Sequence, residues 1–347
     1  MKWSVGRQIS PHGAGLGNEI FPWAKAHIGA VANGAAEVEP AWRLGPYSFG
    51  DDLRGTYRSA LRHNVTSHVI PHADFDAADY LATGCIDYAQ ALQAAISAGA
   101  LDTSRPVVRH TSRMAGGYLG IASARDYLRS RLLGGADAQR STDAVRSAGD
   151  HTITLGIHVR RGDFAATPRA VEPGAFNATM PLPWFINAAR DLATRAELPV
   201  TVVLASDDPS LALDPLDLGT DQPVLRPGAS ALGDLAALAA CDVVLPSISS
   251  FSMLALFLGS ARYAWPREHL HREGDWLSIW GGEAQGWGQI VTAQNATHYD
   301  PDPAGPRGVP LAVGEPWPDP LVADLSEGRS ASSSPARDLI YYGVVPT

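Results

Sequence analysis

Between about residues 150 and 265, apolar runs alternate with amphipathic stretches in a regular order. Ile153 to Val159, Val200 to Ala205 and Val243 to Leu245 are short and rich in β-branched residues, the composition of strands buried on both faces. Between and after them, Trp184 to Ala196, Ala231 to Ala240 and Phe251 to Gly259 carry helical spacing. A βαβαβα order of this kind predicts a parallel sheet covered by helices, a doubly wound Rossmann-like domain. Residues 1 to 150 are marked more weakly, with helices expected from Phe21 to Val31, Asp87 to Ala98 and Ala122 to Leu133, and are read as a second α/β domain.

Domain bounds follow from composition. The first domain is set at 1–150, with residues 131 to 151 as the connection because Gly134-Gly135 is followed there by Ser, Asp and Arg. The second runs from 151 to 298, and 299–347 reads as an irregular tail rich in Pro and Gly, with Trp317 and Tyr341-Tyr342 available to dock it.

In a doubly wound sheet ligands lie beyond the carboxyl ends of the strands. Three polar clusters fall there: His158-Val159-Arg160-Arg161-Gly162-Asp163, Ser206-Asp207-Asp208, and Ser247-Ile248-Ser249-Ser250-Phe251-Ser252. Two guanidiniums, several hydroxyls and carboxylates at one sheet edge suit a nucleoside diphosphate. Arginine stays protonated, and its planar fork makes bidentate, charge-assisted bonds to phosphate. Adjacent arginines past a strand end point to different sides, so one of Arg160 and Arg161 can reach the ligand while the other pairs with a structural carboxylate.

Charge and cysteine content narrow the alternatives. A formal charge of −9 argues against wrapping nucleic acid, which needs concentrated Lys and Arg. Cys85 and Cys241 are too few for a disulfide framework and lack zinc-ligand spacing. Arg7, His12 and Asn18 interrupt the region where a signal peptide needs its apolar run, so a cytoplasmic protein without a membrane span is expected. The acceptor patterns for glycosylation at Asn64, Asn177 and Asn295 are accordingly read as chance. Asp74-Phe75-Asp76 and Asp300-Pro301-Asp302 match an Asp-x-Asp metal motif but follow no recognisable strand, and are read as surface carboxylates. Gly13-Ala14-Gly15-Leu16-Gly17 begins like a dinucleotide fingerprint, but Asn18 stands where the last glycine belongs.

Ile157-His158-Val159-Arg160-Arg161-Gly162-Asp163-Phe164 resembles the His-x-Arg-Arg-Gly-Asp-aromatic signature of the α-1,2-fucosyltransferases, a family related to the α-1,6- and protein O-fucosyltransferases. Gly15-Leu16-Gly17-Asn18 with Phe21 and Ala24, Ser206-Asp207-Asp208-Pro209, and Cys241-Asp242 followed by Ser249 to Ser252 resemble further elements of the family in the same order. The resemblance implies a GT-B architecture of two Rossmann-like domains facing across a cleft. It also implies a GDP-fucose donor, inversion at the anomeric carbon, and neither metal nor cofactor.

Carried over by position, Arg160 holds the β-phosphate, His158 lines the guanine or ribose pocket, and Asp207 or Asp208 binds ribose or base. Ser206, Gly17 and Arg161 complete the donor side, and Ser249, Ser250 and Phe251 offer hydroxyls and backbone N–H groups to the phosphates. Asn18 reaches the leaving group from the other domain, and Glu19, Asp163 and His12 are the candidates for the base. Glu19, Pro22-Trp23 and Met253-Leu254 depart from the family pattern, which leaves the acceptor open between a glycan and a small metabolite. Trp23, Trp42, Tyr47 and Phe49 are read as core aromatics ahead of acceptor platforms. Transfer from another nucleotide sugar, or a non-catalytic nucleotide-sugar or glycan-binding protein of the same fold, is the alternative.

Overall fold

The computed structural model describes residues 1–7, 15–42, 53, 55–162, 179–228, 230–273, 276–278, 307–328 and 341–344. These fall into two compact units, one built on Met1–Leu132 and the other on the described residues from Leu133 onward.

In the first unit the order is β1 (Trp3–Gly6), α1 (Leu16–Asn33), β2 (Ala36–Val38), α2 (Tyr57–His68), β3 (His72–Phe75), α3 (Ala77–Ala82), α4 (Tyr88–Ser97), β4 (Val107–His110), α5 (Gly117–Gly120) and α6 (Arg125–Leu133). The four strands form a parallel sheet in the order β2-β1-β4-β3. Val5, Val38 and Val107 make an apolar layer on it, with Trp3 and Ile70 packed alongside. Trp23 and Trp42 are 2% and 1% exposed and meet edge to face at 5.1 Å, as core aromatics do.

A polar network crosses this core. His110 contacts Ser4 Oγ at 2.7 Å through Nε2 and the Tyr88 hydroxyl at 2.8 Å through Nδ1. Lys25, fully buried, donates to Ser112 Oγ and to the carbonyls of Arg113 and Ala115 at 2.8–2.9 Å. Burial pushes its pKa well below the usual lysine range, while those acceptors satisfy its donors.

The second unit continues with α7 (Ala136–Ala148), β5 (Ile153–Val159), α8 (Leu182–Arg195), β6 (Val200–Ser206), α9 (Ala231–Ala240), β7 (Val243–Leu245), α10 (Ser250–Leu258) and β8 (Arg262–Pro266). There follow β9 (His271–Glu273), β10 (Trp276–Ser278), β11 (Gly308–Leu311), α11 (Asp319–Ser326) and β12 (Tyr341–Val344). Its main sheet is wholly parallel, in the order β11-β8-β7-β5-β6, and β12-β10-β9 form a small antiparallel sheet. Every residue of β5 is buried: Ile153, Leu155, Ile157 and Val159 line one face, and the other face carries Thr154, Gly156 and His158, with Thr154 Oγ1 donating to Asp242 at 2.7 Å. Two α/β units, each with its own parallel sheet, agree with the fold class expected from the sequence.

Two regions differ from expectation. Part of the 131–151 connection is helix α7, whose Ala138, Ser141 and Val145 turn inward at helical spacing while Arg140, Asp143 and Arg146 face water and Asp137 accepts from Ser230 Oγ. The tail from 299 is not irregular throughout. β11 joins β8 in register Gly308 with Tyr263, and its Pro310 is tolerated because β11 is an edge strand. Trp317 anchors the chain before α11, being 1% exposed with its indole N–H donating to Ala188 O at 2.8 Å.

Candidate active site

Chain order and sheet order together locate the site. From β5 the chain crosses to β6 on one side, then returns across β5 to β7 on the other. The carboxyl ends of β5 and β7 therefore flank a topological switch point, where such sheets leave a crevice for ligands. Arg160, Arg161 and Gly162 leave β5 there, and Ser247 to Phe251 lead from β7 into α10.

Three side chains fix this edge. Ser247 Oγ donates to His158 O at 2.8 Å and accepts from the Arg160 N–H at 2.9 Å, tying the end of β7 to the end of β5. Ser206 Oγ donates to Val159 O at 2.7 Å and ties β6 on the other side. Asp207 accepts from the N–H groups of Arg161 at 2.7 Å and Gly162 at 2.9 Å, and its Oδ2 lies 3.2 Å from Arg160 Nε. A carboxylate has about four acceptor positions, and the arginine loop takes three of them. Asp207 thus serves as the latch of this loop, where the sequence reading gave it to ribose or base. Asp208 Oδ1 is engaged in its own turn, accepting from Ser210 N at 2.9 Å and Ser210 Oγ at 2.6 Å.

One point about the arginines differs from expectation: the structural carboxylate meets Arg160. Arg160, not Arg161, forms the ion pair with Asp207, with the two side chains 33% and 23% exposed. Register explains it: Val159 lies opposite Ser206, so the next residues, Arg160 and Asp207, meet beyond the strand ends. Arg161 is half-buried and is held here through its backbone.

His158 is buried, with Nδ1 2.5 Å from Ser252 Oγ and its ring 5.2 Å from Phe251. Burial first, and the positive charge of Arg160 second, lower its pKa to about 4 against a smaller opposing pull from Asp207, so the imidazole is neutral near pH 7. Ser249 is the N-cap of α10, its Oγ accepting from Ser252 N at 3.3 Å, and Ser250 and Phe251 form the first turn. First-turn N–H groups and the helix dipole favour an anion at this end. Cationic arginine loop and helix start converge on one sheet edge, an arrangement suited to a pyrophosphate.

Gly17, Asn18 and Glu19 belong to α1 of the first unit. Gly17 and Glu19 are buried, and Asn18 is half-buried with its backbone N–H on Gly15 O at 2.9 Å. Asp163, His12, Tyr47, Phe49 and Asp300 to Asp302 lie outside the described residues. Asp74 pairs with Arg109 and Asp76 caps α3, so both have structural work. No cluster of three or more His, Cys, Asp or Glu suited to a metal occurs among the described residues. Ser247, Ser252 and Gly162 lie inside the sequence motifs but carry no role there, because which groups turn inward depends on strand register.

Gly162 is required by close approach. A Cβ there would lie 2.6 Å from Asp207 Oδ2, well inside contact distance. Gly162→Ala is expected to push the loop off its latch and lower turnover and GDP affinity together, with little change in thermal midpoint because the loop is part-exposed. An alanine variant with unchanged GDP affinity by calorimetry would show that the site does not depend on this latch.

Residues 125–264 match the profile of Glycosyl transferase family 11. A search of curated proteins gives no match. Among solved structures, the NodZ α-1,6-fucosyltransferase soaked with GDP-fucose is 17% identical, with 71% of this chain and 90% of that chain covered at a TM-score of 0.40. The fucosyltransferase NodZ from Bradyrhizobium is 18% identical, with coverages of 75% and 95% and a TM-score of 0.41. At TM-scores of this size the structural likeness adds no weight, and the assignment rests on the profile and the motifs inside it. The matched segment holds the arginine loop, the Asp207 latch and the serine helix start, so the part of the chain that is similar to Glycosyl transferase family 11 is the part that builds this site.

Proposed function

We propose that this enzyme transfers fucose, or a closely related sugar, from a GDP-sugar to a hydroxyl of a glycan or small metabolite, with inversion and without a metal. The observation that carries the reading is the meeting of Arg160, Arg161 and the Ser249 helix start at the switch point of the second unit's sheet, inside the family 11 segment. In the reaction the acceptor oxygen bonds to the anomeric carbon as the bond to the β-phosphate oxygen breaks. Negative charge grows on the departing diphosphate, where fixed cationic donors stabilise the transition state more than the ground state. Arg160 is the principal donor, already oriented by Asp207. The proton leaves the acceptor hydroxyl for a base, for which Glu19, Asp163 and His12 are the candidates. Neutral His158, fixed by Ser252 and packed on Phe251, borders the nucleoside pocket without adding charge.

Calorimetry with GDP-, UDP- and dTDP-sugars in the presence of a chelator tests both parts. GDP and GDP-fucose are expected to bind, and binding that appears only with a divalent cation would sink metal independence. UDP- or dTDP-sugars binding about tenfold tighter than any GDP-sugar would change the donor and leave the fold as described. Donor binding without transfer or donor hydrolysis would favour the non-catalytic alternative.

A further inference from the structure

Helix α2 has its polarity reversed. The residues it buries are Ala60, His63, Thr66 and Ser67, while Leu61 is 61% exposed, Val65 39% and, just past its end, Val69 73%. Four-residue spacing puts these three on one outward stripe, and Tyr57 one turn earlier is 66% exposed. Arg58 and Arg62 are exposed beside the stripe, and α2 contains no Asp or Glu. In a chain of net charge −9, an outward helix that is apolar and purely basic is a local exception.

We infer that this face docks on the surface of a membrane rich in anionic lipids, with Leu61, Val65 and Val69 entering the headgroup boundary and Arg58 and Arg62 on phosphates. Size and charge decide against a second copy of the chain. From Tyr57 to Val69 the stripe runs about 18 Å along the helix and covers on the order of 200 Å2. A stable protein interface needs roughly 800 Å2 on each partner. A symmetric pairing would also bring Arg58 and Arg62 against their own copies, with no helix carboxylate to neutralise them. A lipid surface needs less area, because shallow apolar insertion and arginine attraction to anionic headgroups add together. Long arginine stems lie along the apolar surface while their guanidiniums stay at the phosphates. Among the described residues no helix is long and apolar enough to cross a membrane, so the contact is peripheral.

The inference is independent of the donor site, and its test does not use activity. The full chain is sedimented at low ionic strength with phosphatidylcholine vesicles, with and without about a third phosphatidylglycerol. Expected is binding to the anionic vesicles alone, weakened by added salt and reduced about tenfold or more by Leu61→Glu/Val65→Glu and by Arg58→Glu/Arg62→Glu. All four substitutions are at exposed positions, so thermal unfolding and GDP affinity should match the parent protein. Parent protein that stays in the supernatant, or variants that sediment equally with it, would overturn the inference. So would a dimer by light scattering that Leu61→Glu converts to monomer, which would make the face a contact between copies.

Discussion

Arg160→Lys is expected to lower turnover about a hundredfold, the scale seen when one fixed donor to a developing oxyanion is lost. Lysine keeps the charge but brings a single rotatable ammonium, which cannot hold Asp207 and a phosphate oxygen at once in a fixed plane. Ground-state GDP affinity should fall less than the rate, because the charge remains and only its alignment with the departing phosphate is lost. Asp207→Asn should act on the same loop by a different route. Its amide retains one acceptor oxygen for two N–H donors and turns an N–H2 group toward the other, so the Arg161–Gly162 backbone loses a bond and gains a repulsion. That variant is expected to lose both activity and some thermal stability, whereas Arg160→Lys keeps its melting temperature close to the parent value. Donor hydrolysis and thermal unfolding, measured for both in one buffer, separate the two roles. If Arg160→Lys keeps near-parental turnover, Arg160 is a structural ion pair and the phosphate ligand must be sought in Arg161 or at the start of α10.

The readable parts of this chain are those whose surroundings are uniform. β5 and β7 are covered on both faces, so burial shows directly as Ile153 to Val159 and Val243 to Leu245, and the observed bounds coincide with the expected ones. α9 is likewise bounded as expected, with Ser230 as its N-cap. The first unit's strands are three or four residues long and carry polar groups such as Ser4 and His110 inward, satisfied by partners far away in sequence. Neither length nor pattern sets them apart. The same limit hid the latch. His158, Arg160 and the serines announce an anion site by type, but the pairing of Asp207 with Arg160 follows from β5–β6 register, which composition does not encode. α7 is hard to read because its buried stripe of Ala138, Ser141 and Val145 holds one branched apolar residue, and β11 because its proline and glycine imitate a loop.

Acid is expected to unfold this protein earlier than a typical domain, with stability falling steeply from about pH 6.5 toward pH 4. Burial is the first cause of low pKa values at His63, His110 and His158, which stand at about 4, 3 and 4 against an ordinary 6.5. Each histidine is therefore neutral in the folded chain through a range in which the unfolded chain has already taken its proton. Below the unfolded pKa the unfolded state binds more protons, so lowering the pH pulls the equilibrium toward it until the folded pKa is reached. Asp234 has the opposite sign. Burial first, then Asp137, raise it to about 7, so the folded chain holds that proton where the unfolded chain releases it, and falling pH favours the fold down to the usual carboxylate range. Three histidines against one carboxyl leave a net loss on the order of 3 kcal/mol per pH unit at its steepest, large beside a usual total stability of about 5–15 kcal/mol. Urea unfolding at about pH 7.5, 6 and 5 reads the slope, and His63→Gln, which removes one titrating group of the three, should flatten it. An unchanged midpoint between the extremes would mean that these imidazoles reach water in the folded chain. In that case the neutral His158 assumed at the nucleoside pocket would lose its basis as well.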